Sequence, residues 1–173
     1  RLELLKPGTQ FMDPAVYNRV LTLHGVIMVF LFIIPSIMAV FGNFILPIQL
    51  VANDVSFPKL NLASWYFYIA GAVLALVSLS MGGPDTGWTF YVPYSTQTDA
   101  NVMFPLLAAF LLGWSSILTA INFITTVHRL RAPGMGLVDK PLIVRGVYAT
   151  ARIAVLATPV VGIKLVLVLI ERT

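Results

Sequence analysis

The sequence predicts an all-α fold, in which a bundle of helices crosses a membrane several times. Hydrophobic residues make up 58% of the chain and charged residues 10%, well below the charged fraction of about 25% in soluble domains. The mean hydropathy is +0.90. Four stretches exceed the roughly 20 apolar residues that cross a bilayer core of about 30 Å. We therefore expect four transmembrane helices, near residues 17–50, 61–82, 101–130 and 141–171.

The composition also excludes several kinds of chemistry. The chain has no cysteine, so it can form no disulfide, thiolate metal site or iron-sulfur cluster of its own. Its net charge is +4, but several basic residues flank the predicted helices, where they contact lipid headgroups, and we predict no nucleic-acid partner.

Four helices that cross the membrane place both ends of the chain on the same side, which we call side A. Residues 51–60 and 128–141 then lie on side B, which the absence of Lys and Arg from residues 83–100 favours as cytoplasmic.

The first helix contains His24 within an apolar run that no charged residue interrupts between Arg19 and Asp54. Polar residues inside a spanning helix are costly and usually functional. A neutral imidazole can ligate a metal or a haem iron, and Gly25 leaves space for a flat ring. This apolar run follows about twenty residues of more polar sequence and is too long for the hydrophobic region of a signal peptide, so we expect it to be a transmembrane helix of the mature protein.

The far end of the first helix carries Asn43, and Asp54 and Asn61 follow in the loop to the second helix. At about 1.5 Å per residue, an ideal helix separates His24 from Asn43 by ~28 Å, so they mark opposite membrane surfaces. A carboxylate flanked by amides could admit protons on side B. The alternative is a solvated loop with Asx turns and a helix N-cap.

The third helix carries a polar stripe on one face. Its residues are spaced i, i+4, i+7 and i+11 and comprise Ser115, Thr119, Asn122 and Thr126, and Ser116 and Thr125 widen it. The stripe runs over about 16 Å from mid-membrane toward side B. It predicts either interhelical hydrogen bonds or a lining for ordered water.

The loop between the second and third helices contains Trp88 and Tyr91. These aromatic side chains predict either a cap over a cofactor or an ordinary interfacial belt. His128, beside Arg129 and Arg131 at the end of the third helix, is expected to be an interfacial residue without a further role.

The fourth helix holds three cations that its sequence leaves unexplained, Arg145, Arg152 and Lys164. Each would cost about 2.5 to 3.5 kcal/mol at the bilayer centre. We expect Lys164 to extend toward side A and Arg145 toward side B. Arg152 has no clear carboxylate partner within the helix.

Several segments resemble subunit I of the haem-copper terminal oxidases, and within that family the cytochrome c oxidase type. The matching segments are Tyr17-Asn18, Thr22-Leu23-His24-Gly25, Gly42-Asn43-Phe44, residues 54–61, Asp85-Thr86-Gly87-Trp88-Thr89-Phe90-Tyr91, residues 115–122, His128-Arg129-Leu130-Arg131-Ala132-Pro133-Gly134-Met135, Tyr148-Ala149-Thr150 and Ala157-Thr158-Pro159-Val160. They are collinear and keep the family's spacing. The cations of the fourth helix depart from the family, whose helix here is mostly apolar or aromatic.

The resemblance implies roles for particular residues. His24 is similar to one axial ligand of the low-spin haem iron, and Trp88 and Tyr91 to aromatic residues beside the haem propionates. Asp54 resembles the carboxylate at the mouth of the proton-uptake pathway called the D channel, with Asn43 and Asn61 at its entrance. Its inward continuation comprises Ser115, Ser116, Asn122 and Thr126.

The family's fold and activity set wider expectations. Its members have twelve helices, of which the four here correspond to the second through fifth. They reduce oxygen to water with electrons from cytochrome c and pump protons, using low-spin haem, high-spin haem and copper. The resemblance implies a cell or inner membrane location, and as partners the remaining helices, subunits II and III, and cytochrome c.

We expect residues 1–173 to be an internal fragment of that single transmembrane domain, inactive alone because the remaining haem and copper ligands lie outside it. One alternative is a quinol-oxidising member of the family. Two others come from different classes, namely a cofactor-free transporter or proton channel, and a purely structural helical bundle.

Overall fold

A computed structural model describes residues 2–136 and 139–172. In these residues all regular secondary structure is helical, and four helical spans are long and apolar enough to cross a membrane, which confirms the predicted class. The first span, Pro14–Leu50, contains helices α1 (Pro14–Val26) and α2 (Asn43–Leu50). The other spans are α3 (Pro58–Ser80), α5 (Met103–Arg129) and α6 (Leu142–Arg172), and α4 is a short helix, Tyr94–Gln97.

The first span is not a uniform α-helix. Between α1 and α2 it contains two π-helical segments, Ile27–Ile33 and Ser36–Gly42, on either side of Pro35. Proline has no N–H to donate to the carbonyl four residues earlier, which is that of Leu31. The hydroxyl of Tyr68 in α3 donates to this carbonyl at 3.0 Å. An interhelical hydrogen bond therefore serves a backbone acceptor that lipid could not satisfy.

Helix α5 is the centre of the bundle, with its most extensive contacts to α3 and α6. Small residues permit this close packing, as is common between membrane helices. A Cβ added to Gly71 in α3 would lie 2.8 Å from Cγ of Leu112. A Cβ added to Gly42 in the first span would lie 2.3 Å from the ring of Phe123.

The apolar core has two separate clusters, one toward each membrane surface. The side-B cluster comprises Met38, Leu46, Leu50, Val55, Ala120, Phe123, Val127, Val144, Val147 and Ala151. The side-A cluster comprises Val26, Phe90, Val102, Leu106, Ala109, Leu165 and Val168. Each cluster packs one inter-helix loop against α5 and α6, through Val55 on side B and Phe90 on side A.

The contact between Gly42 and Phe123 gives a test of this packing. Gly42→Ala should destabilise the protein by about 1 to 3 kcal/mol, because the new methyl group overlaps a ring that is fully buried. Thermal unfolding of the detergent-purified protein, followed by circular dichroism, measures the effect.

Gly146→Ala is the matched control, since a Cβ added at this helical glycine meets no atom within 4 Å. It should leave stability unchanged or raise it by up to about 1 kcal/mol. Equal behaviour of the two variants would contradict the packing described for Gly42.

Candidate functional site

His24 lies near the side-A end of the first span, with an exposed imidazole. In the described part of the chain nothing hydrogen bonds to it, and no ring stacks on it. The adjacent Gly25 is covered by Trp88, whose Cδ1 would be 2.9 Å from an added Cβ. Within this chain, the flat ring that packs on Gly25 is therefore the indole of Trp88. The imidazole of His24, the preceding residue, remains available to a ligand.

The segment that carries Trp88 is tied to the His24 helix by Thr22. The buried hydroxyl of Thr22 donates to the carbonyl of Asn18 at 2.8 Å and accepts the backbone N–H of Gly87 at 3.0 Å. Trp88 also meets Phe30 edge to face, with 6.2 Å between ring centroids. The indole is therefore held in place although 44% of it is exposed.

Helix α6 fixes the same loop from the other side. Lys164 donates to the carbonyl of Thr89 at 2.9 Å, and its Nζ lies 5.1 Å from the ring centroid of Tyr91. Arg172 donates to three further carbonyls of the loop, those of Ser95, Thr98 and Ala100. Lys164 extends toward side A as expected, and these contacts account for a cation that the sequence left unexplained.

Tyr91 itself is 69% exposed, and Phe90 beside it is buried in the side-A cluster. The hydroxyl of Tyr94, three residues after Tyr91, donates to Asp85 at 2.7 Å. This hydrogen bond to the carboxylate stabilises the protonated phenol and so raises the pKa of Tyr94. The loop therefore presents Trp88 and Tyr91 outward from a fixed backbone.

On side B, Asp54 is exposed in the loop between α2 and α3, and one carboxylate oxygen accepts the N–H of Val55 at 2.7 Å. Two fully buried residues of α5 hold this loop. Asn122 accepts the N–H of Phe57 at 2.9 Å and donates to its carbonyl at 3.3 Å. Thr126 accepts the N–H of Ser56 at 2.9 Å.

A cavity of about 700 Å³ lies between the first span, α3 and α5. Apolar residues form most of its wall, and its polar lining comprises Ser36, Asn43, Asn61, Ser64, Tyr68, Ser115, Ser116 and Thr119. The Asn43 amide donates to the carbonyl of Ala39 at 2.9 Å. Its buried oxygen has no donor among the described residues, so a water molecule is the natural partner.

The structure thus divides the expected proton-pathway residues into two groups. Asn43, Asn61, Ser115 and Ser116 line one cavity, whereas Asn122 and Thr126 bind the loop that carries Asp54, and none of these last three is in the lining. Sequence reasoning missed Ser64 and left Thr119 out of the expected site. Thr119 has the signal of the stripe, and Ser64 lies one turn after Asn61.

The serines and threonines of the stripe use their hydroxyl protons locally. Ser115 donates to the carbonyl of Ser64 in α3 at 2.8 Å, and Ser116 and Thr119 donate to carbonyls of α5 at 3.0 Å. Their oxygens can still accept hydrogen bonds from water in the cavity. The two interpretations of the stripe are therefore compatible in this arrangement.

A bound haem would need an accessible imidazole beside a flat apolar surface, and His24 with Trp88 and Phe30 fits that requirement. A metal site formed by several of the described side chains has no such support. In residues 2–136 and 139–172 no group of three or more His, Cys, Asp or Glu side chains could hold an ion. Among the described residues, the candidate metal donor beside this aromatic surface is therefore the His24 imidazole.

The remaining cations of α6 lie near side B. Arg145 donates from Nε to the carbonyl of Lys140 at 2.9 Å, which agrees with its expected direction. The guanidinium of Arg152 lies 4.3 Å from the ring centroid of Tyr148, an aromatic partner rather than a carboxylate. His128, for which no role was expected, has its Nε2 atom 2.6 Å from the hydroxyl of the same Tyr148.

The family described as Cytochrome C and Quinol oxidase polypeptide I matches residues 1–173. Cytochrome c oxidase subunit 1 of Thermostichus vulcanus is 42% identical over 174 residues, which cover 99% of this chain and 31% of that protein.

Two further relatives carry the same name. The Synechocystis protein is 38% identical over 168 residues, covering 96% of this chain and 30% of the relative. The protein of Bacillus strain PS3 is 35% identical over 175 residues, covering 99% and 28%. This chain thus spans about three tenths of the length of these relatives. With a match along its whole length, the chain belongs to the cytochrome c and quinol oxidase polypeptide I family.

Proposed function

We propose that this chain is the part of a terminal oxidase catalytic subunit that supplies one axial ligand to the low-spin haem and the entrance for proton uptake. The observation that carries this proposal is the exposed His24 imidazole, free of protein partners within the described chain, beside a Trp88 ring held on Gly25. In the proposed enzyme, oxygen is reduced to water and protons are pumped. The relatives are named cytochrome c oxidases, which favours cytochrome c over quinol as the electron donor.

The chain's own contribution on side A is ligation and orientation. His24 would hold the haem iron through one imidazole nitrogen, and Trp88 and Tyr91 would lie beside the polar edge of the haem. When bound, the haem supplies one-electron redox chemistry. The backbone bonds from Thr22, Lys164 and Arg172 keep the flanking aromatic side chains in place.

On side B, the proposed task is proton entry. Asp54 takes up a proton from the aqueous phase, and Asn43 and Asn61 offer amide groups at the mouth of the cavity. Water molecules bonded to the oxygens of Ser115, Ser116 and Thr119 would carry the proton along the cavity toward mid-membrane. Asn122 and Thr126 act as positioning residues, because they hold the backbone beside Asp54.

The rest of the proposed machinery belongs to the longer protein. The second low-spin haem ligand, the high-spin haem and the copper ligands would come from helices outside this chain. The partners are then those helices, oxidase subunits II and III, and cytochrome c, in a cell or inner membrane. Without them this chain would not reduce oxygen.

Replacement of His24 tests the ligand assignment. In the full-length protein, His24→Ala should abolish the low-spin haem absorbance, because no neighbouring imidazole can replace the lost iron bond. A reduced-minus-oxidised spectrum of the purified enzyme measures it. His128→Ala is the matched control, since this other histidine bonds Tyr148 on the opposite side, and its spectrum should be unchanged. An intact low-spin signal in His24→Ala would refute the assignment.

Replacement of Asp54 tests proton entry. Asp54→Asn should slow turnover and proton uptake by on the order of 100-fold while leaving haem content intact, since proton transfer by a placed carboxyl group is lost. Oxygen consumption and pH changes in proteoliposomes measure the two rates. Asp139→Asn, at an exposed carboxylate also on side B, should have little effect. Unchanged turnover and pumping in Asp54→Asn would exclude this role.

A third pair of variants compares a residue that holds the Asp54 loop in position, Asn122, with a residue that lines the cavity, Ser116. Asn122→Ala should lower stability by about 1 to 3 kcal/mol, because the Phe57 N–H loses its acceptor and the Phe57 carbonyl keeps only the N–H of Asn61. Ser116→Ala removes only a bond within its own helix and should leave the unfolding midpoint unchanged. If Asn122→Ala were as stable as the parent, the proposed support of the Asp54 loop would be wrong.

A further inference from the structure

Two cations contact one aromatic side chain on side B, and two further arginines lie near them. Nζ of Lys140 lies 4.6 Å, and Cζ of Arg152 4.3 Å, from the ring centroid of Tyr148. Arg145 contacts the backbone of Lys140. We call Arg131, Lys140, Arg145, Tyr148 and Arg152 the Tyr148 cluster. The proposed oxidase function uses none of these side chains.

The cluster carries an excess of positive charge. Lys140 is only 3% exposed, and its contact with a neutral ring does not cancel its charge. Burial, and after it the like charges of Arg131, Arg152 and Arg145, lower the pKa of the Lys140 ammonium group. Buried cations are expensive unless an anion pairs with them. Such a site therefore favours binding of an anion.

One hydrogen-bond donor in the cluster is unused. Nη1 of Arg131 is buried and, among the residues that the structure describes, has no acceptor. A planar guanidinium donates well to the oxygens of phosphate and carboxylate groups. An anionic oxygen would therefore be a suitable acceptor for Nη1 of Arg131. Its negative charge would also reduce the repulsion between Lys140 and the neighbouring arginines.

The position of the cluster narrows the choice of anion. Arg131 follows the end of α5 by two residues, and Lys140 precedes the start of α6 by two. Arg152 lies further along α6, but its side chain reaches back to a ring one turn earlier, toward the membrane surface. The charged ends therefore collect at the depth where phospholipid phosphates lie.

We propose that the Tyr148 cluster binds a phosphate-bearing anion, with Arg131 and Lys140 as donors to its oxygens and Arg152 as an additional charge. Anionic phospholipid headgroups and inorganic phosphate share this chemistry. The site is separate from His24 and Asp54, and the inference does not rest on the oxidase proposal.

The test measures lipid retention by the full-length protein. The parent is reconstituted into phosphatidylcholine vesicles with and without phosphatidylglycerol, extracted in detergent and analysed by native mass spectrometry. The parent should retain phosphatidylglycerol in preference to phosphatidylcholine. Lys140→Gln with Arg152→Gln should weaken that preference by about fivefold for each cation removed.

A charge-matched control uses two other cations on side B. Lys59→Gln with Arg129→Gln removes two exposed positive charges near the same surface, so it should leave retention unchanged. The charge-preserving pair Lys140→Arg and Arg152→Lys should retain most of the binding. If the glutamine pair does not fold, Arg152→Gln alone, at an exposed position, should still give the single-charge loss.

Titration with inorganic phosphate distinguishes the two sources of the ligand. Displacement of phosphatidylglycerol by millimolar phosphate would identify free phosphate as a ligand of the cluster, and retention despite phosphate would identify the lipid headgroup. Equal lipid retention by parent and glutamine variants, or an equal loss in the control pair, would overturn the proposal.

Discussion

Loop peptide groups that pack against the helices and lose contact with water need hydrogen-bond partners within the protein, and this requirement governs both membrane surfaces of the chain. On side B the partners are side chains of α5, namely Asn122 and Thr126, which bind the backbone of Ser56 and Phe57. On side A they are Thr22, Lys164 and Arg172. Since the peptide groups that contact these side chains are packed away from water, the bonds fix each loop relative to the spans.

These fixed loops explain why residues distant in sequence form coherent sites. Trp88 can lie on Gly25 because Thr22, about one turn before Gly25, binds Gly87, the residue before Trp88. Asp54 is exposed, yet the peptide groups two and three residues later are anchored in the buried part of α5. The polar side chains of α5 therefore serve two purposes, since those nearer mid-membrane line a cavity and those nearer side B hold a loop.

The sequence predicted the features that depend on local composition. Hydropathy was sufficient for the four spans, and residue spacing was sufficient for the polar stripe from Ser115 to Thr126. It did not predict that Asn122 binds a peptide group 65 residues away, because spacing shows which face is polar and not what that face contacts. The α6 cations were unexplained for the same reason. Lys164 donates to the carbonyl of Thr89, 75 residues away, and Arg152 pairs with an aromatic ring rather than with a carboxylate.

The two π-helical segments around Pro35 affect the rotational phase of the first span. Turns closed by bonds of i to i+5 contain more residues than α-helical turns. A helical wheel drawn at 3.6 residues per turn from His24 would therefore place Asn43 at the wrong angle around the helix axis. It would also overstate their separation along the axis. The first span can therefore direct its histidine to one side and its asparagine into the cavity between α3 and α5, an arrangement set by winding as much as by residue order.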